Sequence, residues 1–122
     1  MKIDRVAAEG RNLFTGYGEG YVEVNGQRVA ASSIVTPERI VDWGVAAVDA
    51  LTEAHLAAVL EQKPEIVLLG TGSAFTFPDP ALLAPLHRAR IGVEVMDTRA
   101  ACRTYNILLG EDRNVVAALV IN

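Results

Sequence analysis

The chain has 122 residues, of which 51% are hydrophobic and 21% charged; that suits a single domain over 1–122 with one proper core and excludes disorder along its length. With 11 Lys and Arg against 15 Asp and Glu the formal net charge is −4. No basic run interrupts that balance, which excludes generic attachment to nucleic acid or to an anionic membrane and leaves protein partners and small molecules. Cys102 is the only cysteine; no intrachain disulfide can form, and the residue reads as a small apolar side chain in a helix. The start, Met1-Lys2-Ile3-Asp4-Arg5 leading into Ala7, Glu9 and Arg11, lacks the apolar stretch of a secretory signal. The longest apolar run, Val115 to Ile121, is about a third of the roughly 20 residues that a spanning helix needs. The expected setting is the cytoplasm, without membrane insertion.

In chain order, the segment Phe14-Thr15-Gly16-Tyr17-Gly18-Glu19-Gly20 is dense in glycine and reads as irregular. Tyr21 to Val29 follows, with Asn25-Gly26 in the middle. Asn-Gly supplies the two positive φ angles of a type I′ turn, so this is expected to be a two-residue hairpin. That register sets Glu23 opposite Arg28 as an ion pair on one face, and Val22 opposite Val29 on the other. Ser33 to Val35 and Arg39 to Trp43 read as strands joined by a turn at Thr36-Pro37-Glu38. Trp43 and Val45-Ala46-Ala47-Val48 belong either to the core or to an interface.

Beyond residue 50, strands and helices alternate. Thr52 is a good N-cap for a helix running to about Gln62, with Leu56, Val59 and Leu60 as its apolar stripe and Pro64 as its stop. Ile66-Val67-Leu68-Leu69, closed by Gly70, has the continuous apolar character of a strand covered on both faces. A connection from Thr71 to Pro78 leads to Asp79-Pro80, a cap followed by proline at the first helical position; Leu82, Leu83 and Leu86 then face inward. A second buried strand is expected over Ile91 to Met96. Asp97 or Thr98 caps a third helix, with Ala101, Cys102, Tyr105, Leu108 and Leu109 as its stripe and Gly110 at its end. The last strand spans Asn114 to Ile121. The pattern is that of a layered α/β domain.

Candidate chemistry is sparse. Gly70-Thr71-Gly72-Ser73 after a buried strand suggests a phosphate loop, yet the position for a third glycine is Phe75 and no lysine follows. Two readings stay open: the glycines turn the chain where backbones pack closely, or the loop binds another ligand at the strand end. One cysteine and the separated His55 and His87 do not make a zinc site, and Ser32, Ser33 and Ser73 lie in no nucleophile elbow. No metal and no cofactor is expected. His55 and His87 read as surface residues. Arg99, Arg103 and Asn106, spaced i, i+4, i+7, share one helix face behind Asp97-Thr98. They are either a solvated face, with Arg103 paired to a carboxylate, or a fork offered to an anion or a partner protein.

Three blocks carry a resemblance: Ile66 to Gly72, Gly92-Val93-Glu94-Val95-Met96-Asp97-Thr98, and Ala100-Ala101-Cys102-Arg103-Thr104-Tyr105-Asn106-Ile107-Leu108 with Glu111 and Arg113 behind it. In order and spacing they resemble domain-of-unknown-function family 498, from about Phe14 onward. Relatives in that family include the adipogenesis-associated domain protein and the mitochondrial assembly factor 3 of NADH:ubiquinone oxidoreductase. The resemblance implies three layers around a central mixed sheet whose last strand runs antiparallel to its neighbours, with helices on both faces and the N-terminal hairpin added. It implies no agreed reaction, cofactor or active site, and a stand-alone domain like that of the bacterial members. Two functions follow as expectations. The first is a protein-interaction or assembly module without catalysis, whose partner and oligomeric state the sequence does not identify. The second is a small-molecule or anion binder, conceivably an enzyme, at strand C-terminal ends around Gly70, Thr71, Gly72, Ser73, Asp97, Thr98 and Arg103.

Overall fold

The apolar run Ile66–Gly70 becomes a strand near the middle of a sheet, as its composition demands. A computed structural model describes residues 10–122; the stretch 1–9, read above as lacking a secretory core, lies outside the described residues. Eight strands and three α-helices occur among them, in the order β1 (Phe14–Gly18), β2 (Tyr21–Val24), β3 (Gln27–Val29), β4 (Ser33–Val35), β5 (Ile40–Asp42), α1 (Glu53–Leu60), β6 (Ile66–Gly70), α2 (Pro80–Arg88), β7 (Gly92–Met96), α3 (Thr98–Gly110) and β8 (Val115–Leu119).

The main sheet has the order β5-β4-β8-β6-β7, and β1-β2-β3 form a separate antiparallel sheet. The main sheet is mixed, as expected. The last strand, however, is antiparallel on one side only: β8 runs antiparallel to β4, with Ile34 opposite Ala118, and parallel to β6, with Leu68 opposite Ala117. The reason lies in the connection, since β8 is reached from β7 through α3, a crossover that returns the chain in the direction of β6. From β6 the chain crosses to β7 through α2, then returns through α3 past β6 to β8. Right-handed crossovers in opposite directions put the two helices on opposite faces.

One face of the sheet gathers Ile34, Val67, Leu69, Val116 and Ala118 with Trp43, Val45 and Val48, Leu56 and Val59 of α1, and Leu83 and Leu86 of α2. Trp43, Val45 and Val48 are thus core, with Ala46 between them exposed, and the Trp43 indole N–H donates to the His55 carbonyl at 3.0 Å. The other face packs Val35, Leu68, Val115, Ala117 and Leu119 against Ala101, Cys102, Tyr105 and Leu109 of α3 and against Phe14, Val22 and Val24 of the smaller sheet. Phe14 meets Tyr105 edge-on, with ring centres 5.0 Å apart.

Three local expectations need correction. The glycine-dense Phe14–Gly18 is a strand, paired with β2 around a bulge between Phe14 and Gly16. Its glycines suit a neighbour rather than a loop: a Cβ on Gly18 would stand 2.5 Å from the Tyr21 ring, so the aromatic ring lies where a side chain would otherwise be. The hairpin has the expected register, with Asn25 at φ 50 and Gly26 at φ 85, but Glu23 and Arg28 form no ion pair. Glu23 accepts the Thr15 hydroxyl at 2.8 Å, while the Arg28 guanidinium stacks 4.1 Å from the Tyr21 ring centre. Finally, among the described residues β7 is an edge strand paired with β6 alone; Glu94 is exposed and the strand is not buried throughout.

Candidate functional site

The loop after β6 and the start of α3 lie at the C-terminal ends of β6 and β7, where crevices form in α/β sheets, and the two segments stay joined past the strands, the Thr71 amide donating to the Met96 carbonyl at 2.9 Å. Gly72 lines the crevice there, with Gly70 packed behind it. A Cβ on Gly70 would lie 2.8 Å from Leu119 and 2.9 Å from the Thr98 hydroxyl. Gly72 has φ +102, where L residues are strained, and Asn122 packs against it. Close backbone approach therefore accounts for both glycines.

One hydroxyl braces the crevice. The Gly72 amide donates to Thr98 Oγ1 at 2.8 Å, and that oxygen donates its own proton to the Val120 carbonyl at 2.7 Å. The Thr98 amide returns a bond to the Gly72 carbonyl at 2.9 Å. Thr98 is buried, and the start of α3, the loop after β6 and the end of β8 are joined through it. Asp97 caps α3, its carboxylate accepting the Ala100 amide at 2.9 Å. Thr71 organises the loop itself: its hydroxyl donates to the Ala74 carbonyl at 2.7 Å and accepts the Thr76 amide at 3.2 Å.

A half-open cleft of about 220 Å³ lies above this brace, with Gly72, Ser73, Thr98 and Arg99 on one side and Gly18 to Val22 on the other. Of the residues singled out in the sequence, the structure brings Gly72, Ser73, Thr98 and Arg99 together at the cleft. Gly70, Thr71 and Asp97 stand behind it in structural roles. Arg103 is next to it, donating to the Tyr17 hydroxyl at 2.7 Å rather than pairing with a carboxylate. Asn106 does not contribute: its side chain accepts the Phe14 amide at 3.0 Å and donates to the Phe14 carbonyl at 2.7 Å, binding α3 to β1. The helix face read as solvated or functional is thus partly an inter-layer clamp.

Two features had no counterpart in the sequence reading. The turn between β1 and β2 forms the far wall of the cleft, and its glycine density was the available signal of close approach. Phe75 and Phe77 project from the loop after β6 with 60% and 56% of their surface exposed, their ring centres 6.5 Å apart.

Among the described residues no group of three or more His, Cys, Asp and Glu is placed to hold a metal ion, and no helix is long and apolar enough to cross a membrane. His55 belongs to a capping box, its ring nitrogen accepting the Thr52 amide at 3.0 Å. Burial pushes the Cys102 thiol up to about 12, with Arg103 pulling more weakly the other way, so the thiolate needed for nucleophilic attack is scarce. Burial likewise raises the Tyr105 hydroxyl, which donates to the Asn12 carbonyl at 2.9 Å.

Residues 14–120 match the family described as protein of unknown function (DUF498/DUF598). The chain belongs to that family. It is related to proteins named NADH dehydrogenase [ubiquinone] 1 alpha subcomplex assembly factor 3: the Xenopus tropicalis protein is 31% identical over 121 residues, covering 98% of this chain and 66% of that protein. The Bos taurus protein is 38% identical over 103 residues, covering 83% of this chain and 55% of that protein. This family member therefore spans less than two thirds of the length of either. Among solved structures, the crystal structure of a Bordetella parapertussis protein matches with a TM-score of 0.87 at 39% identity, covering 93% of this chain and 98% of that one. A Bartonella henselae protein described as an outer membrane protein matches with a TM-score of 0.79 at 31% identity, covering 92% and 96%. The fold and the family are thereby shown.

Proposed function

We propose that this domain is a protein-interaction module of the assembly-factor kind, without catalytic activity, and that it docks through the loop carrying Phe75 and Phe77. The observation that carries the reading is the pair of exposed phenyl rings on a loop whose backbone is held by Thr71. Ordering a loop in order to expose two aromatic side chains has no benefit to the isolated domain, whereas buried aromatic anchors dominate the energetics of protein interfaces. The relationship to the assembly factors supports the same reading. The working compartment is proposed to be the cytoplasm, on the strength of the single cysteine and the acidic charge.

The test is crosslinking and affinity capture from the native host with wild-type and Phe75→Ser/Phe77→Ser protein. The expected result is a reproducible partner that the double variant loses, with melting temperature unchanged because neither ring is part of the core. Equal capture by both proteins would remove the loop from the interface, and the absence of any reproducible partner would overturn the module reading. Recovery of the wild-type protein in the membrane fraction would overturn the assignment to the cytoplasm.

A further inference from the structure

Two guanidinium groups stand beside the cleft without an acidic partner. Arg99 and Arg103 sit one turn apart on α3, their charged carbons 5.4 Å and 5.9 Å from the centre of the same Tyr17 ring. Both distances are within cation–π range, so one aromatic side chain holds two cations close together. Ion pairs among the described residues join Arg11 to Asp112 and Arg113 to Glu65; neither Arg99 nor Arg103 takes part. Both side chains are exposed, so water and salt screen part of their mutual repulsion; an anion seated on the pair would neutralise the rest.

The polar groups around them have donors to spare. The Tyr17 hydroxyl accepts its bond from Arg103, and its own proton has no acceptor among the described residues. The Ser73 hydroxyl lines the cleft and likewise has no partner there. Two acceptors near Arg99 have other partners: Asp97 Oδ1 accepts the Ala100 amide in the cap of α3, and the Thr98 hydroxyl donates to the Val120 carbonyl. The carboxylate that does line the cleft, Glu19, lies on the hairpin side and disfavours a second negative charge there. The volume, about 220 Å³, is below the roughly 300–1,000 Å³ of sites for drug-sized ligands and suits a small acid.

We infer that the cleft between the β1–β2 turn and the start of α3 is a binding site for a small acid, a single carboxylate or phosphate group seated on Arg99 with Arg103 and Tyr17 behind it, and a neutral or hydrogen-bond-donating remainder toward Glu19. The cleft takes Gly72 and Ser73 from the loop after β6 but neither the Phe75 nor the Phe77 ring, so the arginine variants test it apart from the interaction reading.

Titration of the isotopically labelled full chain by amide NMR tests it, with lactate and inorganic phosphate as probes and ionic strength held constant with sodium chloride. The expected result is saturable movement of the Gly20, Gly72, Ser73 and Arg99 amides with at least one probe. Saturation by lactate alone identifies a carboxylate site, and saturation by phosphate alone a phosphate site. Arg99→Gln should weaken binding roughly tenfold or more, the share of one charge-assisted hydrogen bond. Arg103→Gln should weaken it less, and Arg88→Gln on α2 should leave it unchanged. If Arg99→Gln perturbs the spectrum of the free protein, Arg103→Gln and Ser73→Ala carry the comparison. Shifts that grow linearly without saturating, a response to neither probe, or equal affinity in the arginine variants would each overturn the assignment.

Discussion

The two faces of the main sheet are closed in different ways. On one, α1 and α2 lie directly on the strands, and the cluster around Trp43, Leu56, Val59, Leu83 and Leu86 is almost wholly apolar. On the other, α3 lies between the main sheet and the three-stranded sheet and has to face both. It meets the main sheet through Ala101, Cys102 and Leu109 and Phe14 through the Tyr105 ring, and it adds polar contacts to β1 and the residues leading into it: Asn106 to the Phe14 backbone, Tyr105 to the Asn12 carbonyl and Arg103 to Tyr17. An apolar face tolerates sliding and repacking, whereas directional hydrogen bonds fix a register. The cleft lies between these layers, and its width depends on that register.

The comparison can be broken from the apolar side first. Leu86→Ala on α2 should cost about 2–5 kcal/mol, the usual range for a buried leucine, with fluorescence and circular dichroism transitions shifting together in a denaturant melt. Separate transitions would mean that the α1–α2 face is not part of one cooperative unit. Asn106→Ala should cost less, about 1–3 kcal/mol for two backbone groups left without their partner. Its signature is local: amide exchange should accelerate in β1, β2 and β3 while β6 and β8 stay protected, and uniform acceleration would refute the clamp.

Cys102 provides a finer probe of the same layer. With its thiol pushed up to about 12 by burial, alkylation at neutral pH has to wait for an opening of that layer. Wild-type protein should react slowly, and Asn106→Ala faster in proportion to its amide exchange. Equal rates would place the opening elsewhere. The smallest effect is expected at the surface pair Glu65–Arg113, 2.9 Å apart. The Arg113 hydrogen bond, and then the Asn114 amide, hold the Glu65 carboxyl below its ordinary 4.5. A depressed carboxyl stabilises the fold fully above its unfolded value and loses that contribution as pH falls through the folded one. Glu65→Gln should therefore leave the melting temperature at pH 7 nearly unchanged and flatten its decline below pH 4.5, whereas an unchanged acid limb would show the pair to be inert.

How much of this was legible in the sequence depended on the range of the interaction. The β2–β3 hairpin came out with its register because Asn25-Gly26 encodes the turn locally; the caps at Thr52, Asp79 and Asp97 are equally local, and all three are observed. The strand β1 is not legible from composition because Gly18 accommodates the Tyr21 ring of the next strand and Gly16 faces the Glu23 side chain, contacts that composition does not reveal. Asn106 was placed on a polar face for a similar reason, since its partner Phe14 lies 92 residues away. In the candidate site, the strand-end residues Gly72, Ser73, Thr98 and Arg99 were legible from chain order alone. The opposing wall was not, because it belongs to the other sheet.

The position of β8 also affects how the molecule is made. Among the described strands it is the last to be synthesised, yet it stands in the middle of the main sheet, between β4 and β6. Until Val115–Leu119 arrives, β4 and β6 each present an open, apolar edge, and the pairing of Ile34 with Ala118 closes a loop spanning most of the chain. Topologies of this kind fold late and slowly, and a half-made chain with such edges is prone to mispairing. A domain whose relatives include assembly factors is thus itself, for a short time during synthesis, a chain with two unprotected strand edges.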